Sequence, residues 1–256
     1  MAFEHKAAMS TKANTRRTLS RRRRALAGWA VVPVLLAIGI AAVTALTEPA
    51  ETAPAAPAPP AASGTALEQL GTLPVKGRAP KTGYDRTVSF GTAWRDVDQN
   101  GCDTRNDVLA RDLTAIDRPA GCRVLSGRLA DPYTGTTIDF VRGQGTSQAV
   151  QIDHVVALMN AWETGAQQLT VERRTELAND PLNLLAVEGR ANSQKGAGDA
   201  ATWLPPSKGY RCEYVARQVA VKANYNLWVT QAEHDAIEGV LAGCPGQPAP
   251  AQNPPA

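Results

Sequence analysis

Short runs of apolar and β-branched residues in the middle of the chain predict β-strands. Three such runs read TTIDFVRG at residues 136–143, SQAVQIDHVVAL at 147–158 and PLNLLAVEG at 181–189. A glycine closes the first and the third run, as is common where strands end. We expect the first two runs to form a two-strand unit.

Segments between and after these runs have helical character. MNAWETGAQQL at 159–169 and TVERRTELAND at 170–180 predict two helices, with Gly165 breaking the first and Thr170 capping the second. A short helix is expected within 191–203, and residues 212–228 and 230–244 predict two amphipathic helices. Strands, a helical insertion, a strand and then helices together predict an α+β fold.

The two ends of the chain differ from this domain in composition. Residues 1–24 form a basic cytoplasmic region, residues 25–46 an apolar run, residues 47–69 a linker rich in Pro and Ala, and residues 245–256 a tail of similar composition. Such Pro/Ala segments bury too little apolar surface to order the chain, so we expect a spacer and a disordered tail. The folded domain is therefore predicted at residues 70–244.

The apolar run at 25–46 predicts export, and two outcomes are open. Its length reaches the roughly 20 residues of a membrane helix, which favours an uncleaved transmembrane anchor. The small residues at 43–45 and the twin-arginine-like TRRTLSR at 15–21 favour a cleaved signal peptide. In both cases the basic flank stays in the cytoplasm, and the rest is cell-surface or secreted.

Charge is unevenly distributed. Eight of the 27 Lys and Arg but one of the 24 Asp and Glu lie in residues 1–24, which leaves 19 basic against 23 acidic side chains in the exported part. The basic character of the whole chain therefore gives no argument for nucleic-acid binding. A polyanionic substrate would need local basic groups or a metal ion.

All four cysteines lie in the exported region, where the oxidising environment favours disulfides. Four cysteines allow three pairings. Proximity in sequence favours Cys102 with Cys122 and Cys212 with Cys244. Zinc binding is disfavoured, since there is no CxxC pair and no nearby histidine.

Residues 153–195 contain a motif in three parts. These are Asp153-His154, Asn183-Leu184, and Asn192 with Lys195 in an Asn-x-x-Lys-Gly sequence. Their order and predicted elements resemble the HNH endonuclease signature, closest to exported bacterial proteins of the DUF1524 group, similar to the GmrSD C-terminal domain. GCDTRNDVL, DPYTG and ANDPLNLLAV extend the resemblance to about residues 94–244. It implies a ββα-metal core within a larger disulfide-bonded domain with C-terminal helices.

Phosphodiester hydrolysis gives these residues roles. It needs a base to deprotonate water and a cation to hold the phosphate. A histidine ordinarily titrates near neutrality, so His154 is expected to be the base, while Asp153 and Asn192 can supply oxygen ligands. In the family, Asn183 fixes the loop between the strands and helps to orient the histidine. Lys195 is expected to face a phosphate.

Two oxygen ligands suit a hard cation that keeps several waters, so Mg²⁺ or Mn²⁺ is favoured over zinc. The alternative for each residue alone is structural: a histidine hydrogen-bonded at the end of a strand, with the asparagines as turn and cap residues. The whole set together favours the catalytic interpretation.

A second pattern, WRDVDQNGCDTRNDVL at 94–109, matches a calcium-loop sequence at Asp96, Asp98, Asn100 and Asp107. Asp107 stands where such loops carry the longer Glu, which makes bidentate binding of Ca²⁺ harder. A polar turn held by a disulfide is the alternative to a structural calcium site. Arg105, in the same segment, is a candidate phosphate contact.

These observations predict a metal-dependent HNH endonuclease that acts outside the cytoplasm. Nucleic acid is the expected substrate, with DNA favoured and RNA left open, and the protein is expected to be a monomer. The alternative is a catalytically silent, calcium-stabilised cell-surface binding module.

Overall fold

The computed structural model describes residues 64–251, which form a mixed helix and sheet structure and agree with the predicted α+β class. The helices are α1 (Ala66–Leu70), α2 (Arg86–Phe90), α3 (Thr104–Asp112), α4 (Leu158–Glu163), α5 (Val171–Asn179), α6 (Gly189–Lys195), α7 (Arg211–Asn224) and α8 (Gln231–Leu241). The strands are β1 (Leu113–Asp117), β2 (Ser126–Ala130), β3 (Thr137–Val141), β4 (Val150–His154) and β5 (Leu184–Glu188).

The predicted basic region, the apolar run at 25–46 and most of the linker lie outside the described residues. Within residues 64–251, no helix is both long enough and apolar enough to cross a membrane.

The strands form two antiparallel sheets, β1-β2-β3 and β4-β5. The prediction that the runs at 136–143 and 147–158 pair with each other was wrong, because β3 pairs with β2 and β4 pairs with β5. In the second sheet Val150 lies opposite Glu188 and His154 opposite Leu184. Four of the five β5 residues are buried. The apolar run of this strand therefore packs inside the protein beside β4 and does not face solvent.

The packed part of the chain extends beyond both predicted boundaries of 70 and 244. α1 begins inside the predicted linker, where Thr65 forms a capping box and Ala66 and Leu70 are buried against α7 and α8. In the predicted tail, the Ala249 amide donates to the carbonyl of Gly64 at 3.2 Å. Composition missed these pieces because burial and backbone pairing with distant segments order them.

Both disulfides form as predicted, Cys102 with Cys122 and Cys212 with Cys244. The first joins the loop before α3 to the loop before β2. The second joins the start of α7 to the end of α8. The capping prediction is also confirmed, since the Thr170 hydroxyl accepts a hydrogen bond from the Arg173 amide.

Three hydrophobic clusters meet at the end of β4. Ile152 packs with α3 and the three-stranded sheet, Val155 with α1, α7 and α8, and Val156 with α2, α4 and α5. His154 therefore lies on a strand that is fixed from three sides, and packing sets its backbone position.

Candidate functional site

The site is built on β4, β5 and the helix α6 that follows β5 directly. The Glu188 side chain caps this helix by accepting hydrogen bonds from the amides of Arg190 and Ala191. Gly189 permits the sharp junction, because a Cβ there would lie 2.0 Å from the carbonyl oxygen of Gln148. Strand and helix are thereby held close together, which brings Lys195 beneath the end of β4.

His154 is the last residue of β4 and is 7 % exposed. Its Nε2 lies 2.9 Å from the carbonyl oxygen of Ala178. A carbonyl only accepts, so Nε2 carries the ring proton and Nδ1 keeps the lone pair. Among the described residues, no group hydrogen-bonds to that Nδ1. The ring therefore has one fixed nitrogen and one nitrogen available to accept a proton.

Two neighbours shape the surroundings of His154. The ring of Trp94 stacks on it with centroids 6.4 Å apart and planes inclined by 18°. Burial, assisted by the positive charge of Arg86, lowers the pKa of His154 to about 3. The imidazole is therefore neutral at pH 7, as a proton acceptor must be.

Asn183 is fully buried and ties the loop after β4 to α5. Its Oδ1 accepts from the Val156 amide at 2.8 Å, and its Nδ2 donates to the carbonyls of Val156 and Leu177. Leu177 precedes Ala178, whose carbonyl holds His154. Asn183 is thus placed to fix the loop and, indirectly, the histidine, in the way the resemblance implies.

Asp153 points away from His154, as alternation along a strand requires. Its Oδ2 accepts a hydrogen bond from the hydroxyl of the buried Tyr133, and its Oδ1 lies 3.0 Å from Nζ of Lys195. Burial raises the pKa of Asp153, and the charge of Lys195 opposes that shift. The carboxylate is therefore already paired with a cationic side chain.

The expectation that Lys195 faces a phosphate needs correction. Its side chain is 0 % exposed, and its Nζ also donates to the His154 carbonyl at 2.8 Å. Because α6 follows β5 so closely, the side chain turns under the strand rather than outward. Lys195 joins α6 to β4 and partly neutralises Asp153.

Asn192 borders a groove of about 290 Å³ that Asp153 and His154 also line. Its Nδ2 donates to Oε1 of Gln151 at 2.9 Å. That bond orients the amide and leaves Oδ1 without a donor among the described residues. One carboxylate and one amide oxygen with space for water fit a hard divalent cation, although Asp153 would be shared with Lys195.

The four candidate calcium residues lie around one loop. The Asp96 carboxylate accepts from the amides of Asn100 and Gly101, and the Asp98 carboxylate accepts from the Asn100 amide and side chain. Burial, with the charges of Asp98 and other nearby aspartates, raises the pKa of Asp107. Within residues 64–251, however, the carboxylates of Asp96, Asp98 and Asp107 do not all lie within 4.8 Å of one another, and calcium binding stays a prediction.

Arg105 is not among the residues that line the groove, and its role as a phosphate contact stays a prediction. Its guanidinium lies over the ring of Trp94 at 6.0 Å and 3.5 Å from the carbonyl oxygen of Val150. Burial lowers its pKa. Arg105 supports the tryptophan that covers His154.

The sequence analysis assigned no site role to three residues of the site, Tyr133, Trp94 and Arg86. Tyr133 and Trp94 lie in segments that it quoted, DPYTG and WRDVDQNGCDTRNDVL, and all three residues lie 20 or more positions before the motif. Only Trp94 carries a local signal in the structure, a positive φ of 63° that a bulky residue rarely adopts. Such backbone strain is frequent where side chains are held for function.

The fold and the site define an α+β protein with a neutral, oriented histidine beside a groove that is also lined by Asp153 and Asn192. Residues 103–240 match the family described as the C-terminal domain of GmrSD restriction endonucleases. The chain belongs to this family, which indicates a nuclease-like function. The match includes the three motif parts, whereas Arg86 and Trp94 precede it.

A comparison with individual proteins found a relative of this chain. The chain is 37 % identical over 185 residues to an uncharacterized secreted protein of the fungus Arthroderma benhamiae, a region that covers 72 % of this chain and 86 % of that protein. No solved structure matches the chain.

Proposed function

We propose that this protein is an HNH endonuclease that hydrolyses phosphodiester bonds with the help of a divalent cation. The observation that carries the proposal is His154, a neutral histidine with Nε2 fixed by a carbonyl and Nδ1 free to accept, on the wall of a groove. Membership of a restriction-endonuclease family supports the reaction class.

His154 acts as the general base in this reaction. Nδ1 accepts a proton from a water molecule as the water oxygen forms a bond to phosphorus, and the bond from phosphorus to the leaving oxygen breaks. Solvent returns a proton to the leaving oxygen. The hydrogen bond from Nε2 to Ala178 keeps the ring in one orientation and stabilises the charge it gains.

Asp153 and Asn192 are the residues that would hold the cation, Mg²⁺ or Mn²⁺. A bound cation supplies positive charge to the phosphate oxygens and the leaving group. Asp153 shares its charge with Lys195, so we expect most remaining ligands to be water, as is usual for Mg²⁺.

We further propose that the enzyme acts outside the cytoplasm, as a monomer, on DNA. The two disulfides and the secreted relative support the location. The loop of Asp96, Asp98, Asn100 and Asp107 is proposed to bind a structural calcium ion. It lies beside the Cys102–Cys122 disulfide rather than in the groove.

The purified full-length chain should be incubated with plasmid DNA and with RNA, in Mg²⁺ or in EDTA. We expect cleavage that EDTA abolishes. His154→Ala, purified in parallel, should lower turnover by the roughly 10² to 10⁴ that a positioned base contributes. Asp153→Asn should lose activity that higher Mg²⁺ partly restores.

A melting curve for each variant separates loss of the base from loss of the fold. If folded His154→Ala retains the activity of the parent, the cleavage comes from another source and the mechanism is wrong. If neither protein cleaves either substrate in Mg²⁺ or Mn²⁺, the binding-module alternative takes precedence.

A further inference from the structure

Arg86 is the first residue of α2 and stands beside the proposed base. It lines the 290 Å³ groove together with Asp153, His154 and Asn192. It also lines a second, smaller cavity on the Trp94 side of His154. His154 borders both cavities as well, so Arg86 and His154 line the same two spaces.

In the described part of the chain, the charge of Arg86 has no ion-pair partner. Within residues 64–251, no carboxylate lies within ion-pair distance of its guanidinium, and its side chain makes no hydrogen bond there. The neighbouring Asp85 caps α2 by accepting from the Val88 amide. Lys195, by contrast, is buried in its pair with Asp153. Arg86 is therefore the uncompensated cation on the groove wall.

The helix that carries Arg86 is held in place. Phe90 is 1 % exposed and packs with α4 and α5, and the Ser89 carbonyl accepts from Nε of Arg174. Gly91 follows with a φ of 79° and lies against Thr175. The backbone of α2 is thus anchored to α5, the helix that also supplies the carbonyl bonded to His154.

We propose that Arg86 binds the scissile phosphate of the substrate, the role that the sequence suggested for Lys195. This inference rests on the proposed nuclease function. A guanidinium presents paired donors that match two phosphate oxygens. The exported part is acidic overall, so a local cation is needed to hold a polyanion.

The test compares Arg86→Ala with Arg118→Ala in the full-length chain. Arg118 is an exposed arginine without an ion pair or hydrogen bond in the described part, and it lies away from both cavities. Arg86→Ala should lower kcat/KM by roughly 10² to 10³, the effect of removing one charge-stabilising donor. Arg86→Lys should recover part of that loss, and Arg118→Ala should match the parent.

A binding measurement keeps this inference separate from the proposed reaction. A fluorescent oligonucleotide is titrated into His154→Ala and into His154→Ala/Arg86→Ala, with folding confirmed by melting curves. Loss of one charge-assisted phosphate contact should weaken binding roughly tenfold. That result supports the phosphate contact even if the parent cleaves nothing. Equal affinities would overturn the inference, and so would Arg86→Ala activity within twofold of Arg118→Ala when the parent is active; both results leave the nuclease proposal intact.

Discussion

Two buried lysines form ion pairs in different regions of the molecule. Lys222 of α7 pairs with Glu233 of α8, and both side chains are 0 % exposed. Lys195 of α6 pairs with Asp153 of β4, with exposures of 0 % and 6 %. The chemistry is the same, but the first pair lies inside the helical core and the second lies at the wall of the groove.

The difference is in how completely each ammonium is satisfied. Lys222 has three partners for its three protons: Glu233 at 2.9 Å, the Trp228 carbonyl at 2.9 Å and the Thr164 hydroxyl at 3.3 Å. Lys195 has two, Asp153 and the His154 carbonyl. We call the Lys222–Glu233 pair the closed pair, because all three ammonium protons are bonded, and the Lys195–Asp153 pair the open pair. The closed pair is structural. The open pair leaves one ammonium proton without an acceptor among residues 64–251, and its Asp153 partner borders the groove.

The largest effect on stability is expected at the closed pair. Lys222→Met leaves the Glu233 carboxylate buried without its cation, which typically costs about 3–5 kcal/mol. Burial raises the pKa of Glu233 and the charge of Lys222 opposes that shift, so removing the lysine should raise this pKa further. The free energy of unfolding from urea titration measures the loss.

The double variant Lys222→Met/Glu233→Leu is the control for this prediction. Replacing both charges with apolar groups removes the uncompensated carboxylate, so part of the lost stability should return. If Lys222→Met lowers the free energy of unfolding by less than about 1 kcal/mol, water reaches the Lys222–Glu233 pair. The two ion pairs then do not differ in the way described above.

A smaller loss of stability and a gain in cation binding are expected at the open pair. Lys195→Met should cost about 1–3 kcal/mol, because Asp153 keeps the Tyr133 hydroxyl and borders the groove. It also frees the carboxylate from its competing cation, so affinity for Mn²⁺ should rise. Calorimetric titration of the full-length chain with Mn²⁺ measures this affinity.

Lys208→Met is the matched control, since it removes one positive charge from an exposed position away from the groove. Its Mn²⁺ affinity should equal that of the parent. Equal affinity in Lys195→Met would show that Asp153 does not bind the cation.

The sequence predicted the parts of the fold and site that depend on local pattern. The strand that ends at Asp153-His154, the strand of Leu184, the helix of Lys195 and the cap at Thr170 all follow from residues close together in the chain. Pairing of the cysteines also followed from proximity. Family resemblance then connected these elements.

The parts that were missed depend on contacts between distant segments. Strand pairing of β3 with β2 depends on which sheet each strand joins, and the burial of Lys195 depends on the tight β5–α6 junction at Gly189. Tyr133 reaches Asp153 across 20 positions, and Arg86 reaches the groove from a helix that precedes the motif by more than 60. The spacing of apolar residues within one helix or strand does not predict contacts between such distant segments.

The smallest expected effect tests whether the closed pair is supported by its own helix cap. Thr230 and Glu233 form a capping box, in which the Thr230 hydroxyl accepts from the Glu233 amide at 3.2 Å and the Glu233 carboxylate accepts from the Thr230 amide at 3.4 Å. Thr230→Ala should cost about 1 kcal/mol, the usual value for a lost cap. Thr170→Ala removes a cap on α5 that is not part of the Lys222–Glu233 pair, and it is the matched control.

A double-mutant cycle measures the coupling between the Thr230 cap and the Lys222–Glu233 ion pair. Because the box holds the Glu233 side chain in the orientation that Lys222 needs, the losses from Thr230→Ala and Lys222→Met should differ from additivity by more than about 0.5 kcal/mol. The same cycle with Thr170→Ala should be additive, since α5 makes no contact with the pair's charges. Additivity in both cycles would mean that α8 presents Glu233 without help from its cap, and that packing alone keeps the pair closed.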